Sequence, residues 1–266
     1  MRSVMFGARV LAGAALLAIA AAAPAQDAPV ARADGYAELE RLPDWSGVWT
    51  LGVAGGGRAP PAAPKLEPAA QAQLDAFRAK QAAQGVAQTA QITCRPPGMP
   101  GIMRQPYPLE ILFTPGRVTI FAETYSQARR IYTDGRPLPD DPDDLFNGTS
   151  VGRWDGDTLL VETVGFNPLV EYIGGVSHGE AMKISERFWL EQAGVLRVET
   201  TITDPGVLAE PLVSTLGYRK EPEWTLREYV CEENNRLTAG EGGANIELDL
   251  EHDPDDPFGP PPGEAE

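Results

Sequence analysis

From Tyr107 onward the hydrophobic positions recur at every second residue. Tyr107, Leu109, Ile111 and Phe113 alternate with other residues, Pro115-Gly116 interrupts, and Val118, Ile120 and Ala122 resume. Alternation of this kind marks a strand with one buried face. Ala128 to Tyr132 continues it. Val151 to Trp154 and Thr158 to Val164 flank Asp155-Gly156, a pair suited to the positive φ of a tight hairpin. Met182 to Leu190, Val195 to Thr203, Pro211 to Arg219 and Trp224 to Cys231 keep the same period, as does Asp44 to Leu51 near the start. About ten strands separated by turn signals predict an all-β fold, an antiparallel barrel or sandwich. One stretch departs from the pattern. Pro68 to Gln84 is rich in Ala and Gln, with Pro68 at a first-turn position and Gly85 able to stop it, and so predicts a helix. Leu74 and Phe77 give it a thin apolar face, which places it on the surface.

The two ends read differently. Arg2 and Arg9 precede an apolar run from Val10 to Ala23, and Ala23-Pro24-Ala25 matches a leader-peptide cleavage pattern. The expected division is a signal peptide over 1–25, a polar leader over 26–41, a β-barrel domain over 42–235 with the helical insertion near 68–84, and an acidic disordered tail over 236–266. The mature chain is then expected in the periplasm or outside the cell, with no segment inserted in a membrane. The 28 Gly and 25 Pro residues, about a fifth of the chain, exceed ordinary usage and argue against a long-helix bundle. The formal net charge is −16, which disfavours nucleic acid as a partner. Only two histidines are present, His178 and His252, too few for a three-histidine zinc site. No phosphate loop or dinucleotide fingerprint occurs, so no cofactor and no metal are expected. The run Asp140-Asp141-Pro142-Asp143-Asp144 lacks the spaced ligand order of a calcium loop and reads as a solvated acidic loop. Cys94 and Cys231 are the only cysteines; in an exported chain they are expected to pair as a disulfide.

Candidate chemistry comes from strand phase. Within Met182 to Leu190, Glu186 falls on the same face as Met182, Ile184, Phe188 and Leu190, while Lys183, Ser185 and Arg187 face the other way. A carboxylate among apolar neighbours must find a partner or change its protonation. Read as a final strand, Trp224 to Cys231 places Glu228 with Trp224, Leu226 and Val230. Glu186 and Glu228 can then share one cavity, balanced by Arg129 or Arg130. His178, in a glycine-rich loop at a strand end, is the candidate general acid or base, with Glu180 to orient it. The expected catalytic set is His178, Glu186 and Arg130. The expected ligand-binding set is Glu228, Phe188, Trp189 and Trp224. Gly148-Thr149-Ser150-Val151-Gly152 matches the letters of a serine-hydrolase elbow, but a hairpin follows it where that mechanism needs a helix.

Gly47-Val48-Trp49 on the first strand resembles the G-x-W signature of lipocalins and related barrels. That resemblance implies a lipocalin-like barrel in which Trp49 closes one end beneath a late-strand arginine, for which Arg227 is the counterpart here. The chain also resembles a family of uncharacterised bacterial secreted proteins. The resemblance covers roughly Leu42 to Asn235 and is carried by Asp44-Trp45-Ser46-Gly47-Val48-Trp49, Cys94-Arg95-Pro96-Pro97-Gly98-Met99-Pro100, Ser150-Val151-Gly152-Arg153-Trp154-Asp155-Gly156-Asp157-Thr158-Leu159 and Tyr229-Val230-Cys231-Glu232-Glu233-Asn234-Asn235. It implies that both cysteines belong to the framework, and it carries no activity.

The leading expectation is a binding protein for a small apolar or aromatic molecule held in the barrel mouth. The alternatives are a cofactor-independent lyase, isomerase or hydrolase acting on such a molecule, and a cell-envelope interaction protein using the acidic loop and tail.

Overall fold

The computed structural model describes residues 35–52, 63–84 and 94–231, with two short pieces at 237–239 and 246–248. The expected signal peptide, most of the Gly/Pro loop after the first strand, the helix stop at Gly85 and most of the acidic tail lie outside the described residues. Within that tail, Leu237–Ala239 and Ile246–Leu248 pair as a two-stranded antiparallel ribbon.

The elements are β1 (Gly47–Leu51), α1 (Pro68–Gln84), β2 (Leu109–Thr114), β3 (Arg117–Ala122), β4 (Gln127–Tyr132), β5 (Thr149–Asp155), β6 (Thr158–Val164), β7 (Lys183–Gln192), β8 (Val195–Thr203) and β9 (Leu212–Lys220). The nine strands form a closed barrel in sequence order, with β9 returning to β1. The all-β barrel with one helix is therefore the architecture, and two expectations are corrected.

The barrel is not wholly antiparallel. β4 and β5 run parallel, through Ile131 opposite Ser150 and Tyr132 opposite Val151. In a closed ring each antiparallel step reverses the chain direction, so antiparallel steps must be even in number. Nine strands thus require at least one parallel pair, and a parallel pair needs a crossover rather than a hairpin. The segment between Tyr132 and Thr149, which contains the acidic run, is that crossover.

The segment Trp224 to Cys231 is not a strand. Its alternation has no edge to pair with, because β9 already closes on β1, with Trp49 opposite Lys220 and Leu51 opposite Tyr218. It forms instead an extended strap outside the barrel. The Arg227 amide donates to Glu123 Oε2 at 2.7 Å, and the Ser126 hydroxyl contacts the Tyr229 carbonyl at 3.4 Å. Cys231 is bonded to Cys94, with Cα atoms 5.6 Å apart and 137 positions between them in sequence.

Inward-facing side chains fill the barrel. Trp45, Trp49, Ile111, Ile131, Leu159, Phe188, Leu196 and Tyr218 are all essentially inaccessible. They are joined by Met99, Ile102 and Met103 from the irregular segment before β2, where a 3-10 turn over Gly101–Arg104 turns two of these side chains inward. The Tyr218 hydroxyl donates to the Met103 carbonyl and anchors this plug. Trp49 is buried as the G-x-W pattern implies, and its Nε1 donates to the Trp45 carbonyl at 2.8 Å. The cation over its ring is Lys220, 5.7 Å from the centroid. Arg227, the expected counterpart, is exposed on the strap. The β1–β9 register decides this, since it sets Lys220 beside Trp49 and leaves Arg227 past the last strand.

α1 lies on the surface, as its composition predicts. Ala70 and Leu74 pack on Val176 and Val207, and Phe77 covers Gly175 so closely that a Cβ there would fall 2.2 Å from the ring. Among the described residues no helix is long and apolar enough to cross a membrane.

Candidate functional site

The phase of β7 places Ile184, Glu186 and Phe188 inside the barrel, all buried. The partner of Glu186 is Arg129 of β4. The side chains are 0% and 2% exposed respectively. Arg129 donates through Nη1 to Oε1 at 3.1 Å and through Nη2 to Oε2, a two-pronged contact matched to the planar carboxylate. Its Nη2 also contacts Thr163 Oγ1 at 3.2 Å and Ser150 Oγ at 3.4 Å. These two hydroxyls are 2.9 Å apart. Tyr218 completes the polar lining of this core. Burial, reinforced by the Glu186 charge, holds its phenol far above the ordinary tyrosine range, so it remains a neutral donor. Every charged group here is enclosed and paired. The arrangement can tie β4 to β7 across the barrel interior, and one donor, the Arg129 Nε, is buried there without a hydrogen-bond partner. Ser150, the serine of the elbow-like motif, is buried within strand β5 and takes part only in this network.

The expected site residues are therefore distributed rather than gathered. Arg130 is one residue out of phase with Arg129 and faces outward, where it lines a surface groove with Tyr132 and Asn147. Ile131 gave the signal that separates the two arginines: it is apolar and two positions from Arg129. Glu228 and Trp224 are exposed on the strap, so Glu228 does not meet Glu186. Phe188 is interior and stacks with Trp45 at 6.3 Å. Trp189 lies on the outer face of β7, with the Arg187 guanidinium 5.9 Å from its ring centroid.

His178 is at the end of the barrel, in the loop that precedes β7. Its Nε2 is 2.9 Å from the Asn167 carbonyl and its Nδ1 is 3.0 Å from the Gly179 carbonyl. Two acceptors thus flank the ring, and the Phe166 ring meets it edge to face at 6.2 Å. Backbone carbonyls, not Glu180, orient the imidazole. Proton transfer to a substrate would first require one nitrogen to leave its carbonyl. Beneath this loop Asp204 is buried and accepts the Gly179 amide at 3.1 Å and the Tyr172 hydroxyl at 2.8 Å. Burial and this carboxylate raise the Tyr172 phenol far above its usual range. Asp204 is the loop's main polar support, and no periodicity marks it in the sequence.

The His178 loop borders a cleft of about 820 Å³. The crossover supplies one wall with Asp140 and Asp144, and the segment after β6 supplies Phe166 and Pro168. The approach to β7 supplies Met182 and Lys183. Apolar surface forms much of the walls, and three carboxylates, one ammonium group and the imidazole stand around it. Among the described residues no group of three or more His, Cys, Asp or Glu is arranged to hold a metal ion. No protein-family profile matches the chain, and no curated protein sequence matches it.

Proposed function

We propose that the protein binds a small apolar or aromatic molecule in the cleft beside His178, outside the cytoplasm. The cleft carries this reading. At about 820 Å³ it falls within the roughly 300–1,000 Å³ usual for small-molecule sites. Leu138, Pro139 and Pro168 offer accessible apolar contact, while Lys183, Glu180 and the crossover carboxylates offer polar anchors at its margin. Met99, Ile102 and Met103 pack in the barrel interior, so the ligand expected at the barrel mouth is assigned to the rim. The Cys94–Cys231 bond and the leader-like N-terminal segment support an extracytoplasmic location.

Ala181 lines the cleft from an exposed position, so Ala181→Trp fills it without disturbing the core. Native mass spectrometry of protein purified from its host should show a retained small molecule that Ala181→Trp lacks, with unchanged thermal unfolding of the emptied protein. Absence of any retained mass, or its persistence in Ala181→Trp, would overturn the reading.

A further inference from the structure

A second group of ring side chains lies on the outside of the barrel, where the strap crosses the ends of β2 and β4. Tyr229 touches Tyr107 edge to face and Tyr125 at a tilt, with ring centroids 5.5 Å away in each case. Tyr107 is 41% exposed and Trp224 51% exposed. A groove of about 450 Å³ opens beside them, lined by Pro108, Glu123, Glu223, Trp224, Thr225 and Arg227. Trp and Tyr displayed this way present a flat apolar body with a polar margin.

The ledge is built rather than incidental. Tyr125 and Ser126 are consecutive non-glycine residues with left-handed backbone, at φ 58° and 49°. Residues held there are strained and gather where a surface is shaped for use. In this case the turn sets the Tyr125 ring against Tyr229 and the Ser126 hydroxyl on the Tyr229 carbonyl. The amide of Arg227 is fixed by Glu123, and the disulfide holds the strap two residues beyond Tyr229. Little of the groove must be ordered when a ligand arrives, which favours binding.

We propose that this ledge is a saccharide-binding site: one face of a pyranose ring stacks on Trp224, and the sugar hydroxyls bond to Glu223, Thr225, Arg227 and Oε1 of Glu123. The chemistry of the lining selects this class. A sugar ring has a flat C–H face for an indole and vicinal hydroxyls that both donate and accept. The groove offers carboxylate acceptors, a guanidinium donor and a hydroxyl around one aromatic plate. A simple anion would meet two carboxylates, and a simple cation would meet Arg227.

The full chain is titrated with cellotetraose, maltotetraose and the N-acetylglucosamine tetramer, and saturation-transfer NMR reads the sugar protons. Saturable transfer to at least one of them is expected, about tenfold or more weaker in Trp224→Ala and largely kept in Trp224→Tyr. Ala181→Trp, in the rim cleft, should leave it unchanged. Trp224 is exposed, so its variants keep the folded barrel, checked by near-ultraviolet circular dichroism. No saturable signal with any of the three sugars, a signal untouched by Trp224→Ala, or displacement of the sugar by tetramethylammonium would overturn the proposal.

Discussion

The Arg129–Glu186 pair makes a sharp energetic prediction. Glu186→Gln keeps the shape of the side chain but leaves the Arg129 guanidinium buried at 2% exposure with no counter-charge. Arg129→Met does the reverse. Breaking a buried pair from one side typically costs about 3–5 kcal/mol, because the remaining charge has lost its hydration and gained nothing. In a domain of this size, each kcal/mol moves Tm by about 2–4 °C, so either single change should lower it by roughly 6–20 °C. The double variant Arg129→Met/Glu186→Met removes both charges. Ser150 and Thr163 still bond to each other across 2.9 Å, so no hydroxyl is orphaned. It should return to within about 2 kcal/mol of the parent, since apolar replacement of a buried pair is often neutral or stabilising. Equilibrium urea unfolding of the parent, Arg129→Met, Glu186→Met and the double variant, with the disulfide intact, measures all four corners of this cycle. A single-variant cost under about 1 kcal/mol, or a double variant no better than the worse single, would refute the reading of a dry, mutually dependent pair. If the pair is structural, binding in the rim cleft is unchanged in the double variant.

Two further outcomes follow from the packing and the surface charges. Gly175→Ala combines a φ of +75° with a Cβ 2.2 Å from the Phe77 ring, so it should cost about 1–3 kcal/mol and speed amide exchange along α1; unchanged exchange in Gly175→Ala would count against the docking of α1. Asp44 is held below the ordinary carboxylate range by the Ser46 hydroxyl and then Lys220, and Asp134 by Arg136. Their folded values are lowered, so their stabilisation is complete above the unfolded value of about pH 4 and is lost as pH falls through the lower folded values. Asp44→Asn with Asp134→Asn should therefore flatten the acid limb of a urea-midpoint profile, each removing about 0.2–1 kcal/mol at neutral pH. Parallel profiles for the pair and the parent would contradict this.

The strands were legible because one face of each is buried, and burial enforces a two-residue period. That period also located Glu186 correctly inside. It narrowed the partner to Arg129 or Arg130 but did not choose between them, since phase says which face a side chain takes and nothing about which strand lies opposite. Even so, Arg129 was within reach: Ile131 fixes the inner face of β4, and Arg130 is then outside. The strap shows the converse failure. Trp224, Leu226 and Val230 alternate as a strand would, yet no edge was left to pair with them. The plug was unreadable for a different reason. Met99, Ile102 and Met103 enter the core from a turn with no repeating pattern, held by tertiary contacts such as the Met99 amide on the Phe146 carbonyl at 2.8 Å. The rim cleft is assembled from three separate segments; the acidic run and the His178 loop announced themselves by residue type, but nothing in the sequence brought them together.

The ring has an odd number of staves, and arithmetic then obliges one seam where neighbours point the same way. To make that seam the chain must travel back to the end where β4 began, and the return journey carries Asp140 and Asp144 past the rim. Gain or loss of a single stave would make the tally even. Every neighbour could then be joined by a short hairpin, the bridging span would lose its geometric necessity, and the recess at the rim would lose its outer wall. The recess is in this sense a by-product of parity, and a change in strand count would reshape it more surely than substitution of the residues that line it.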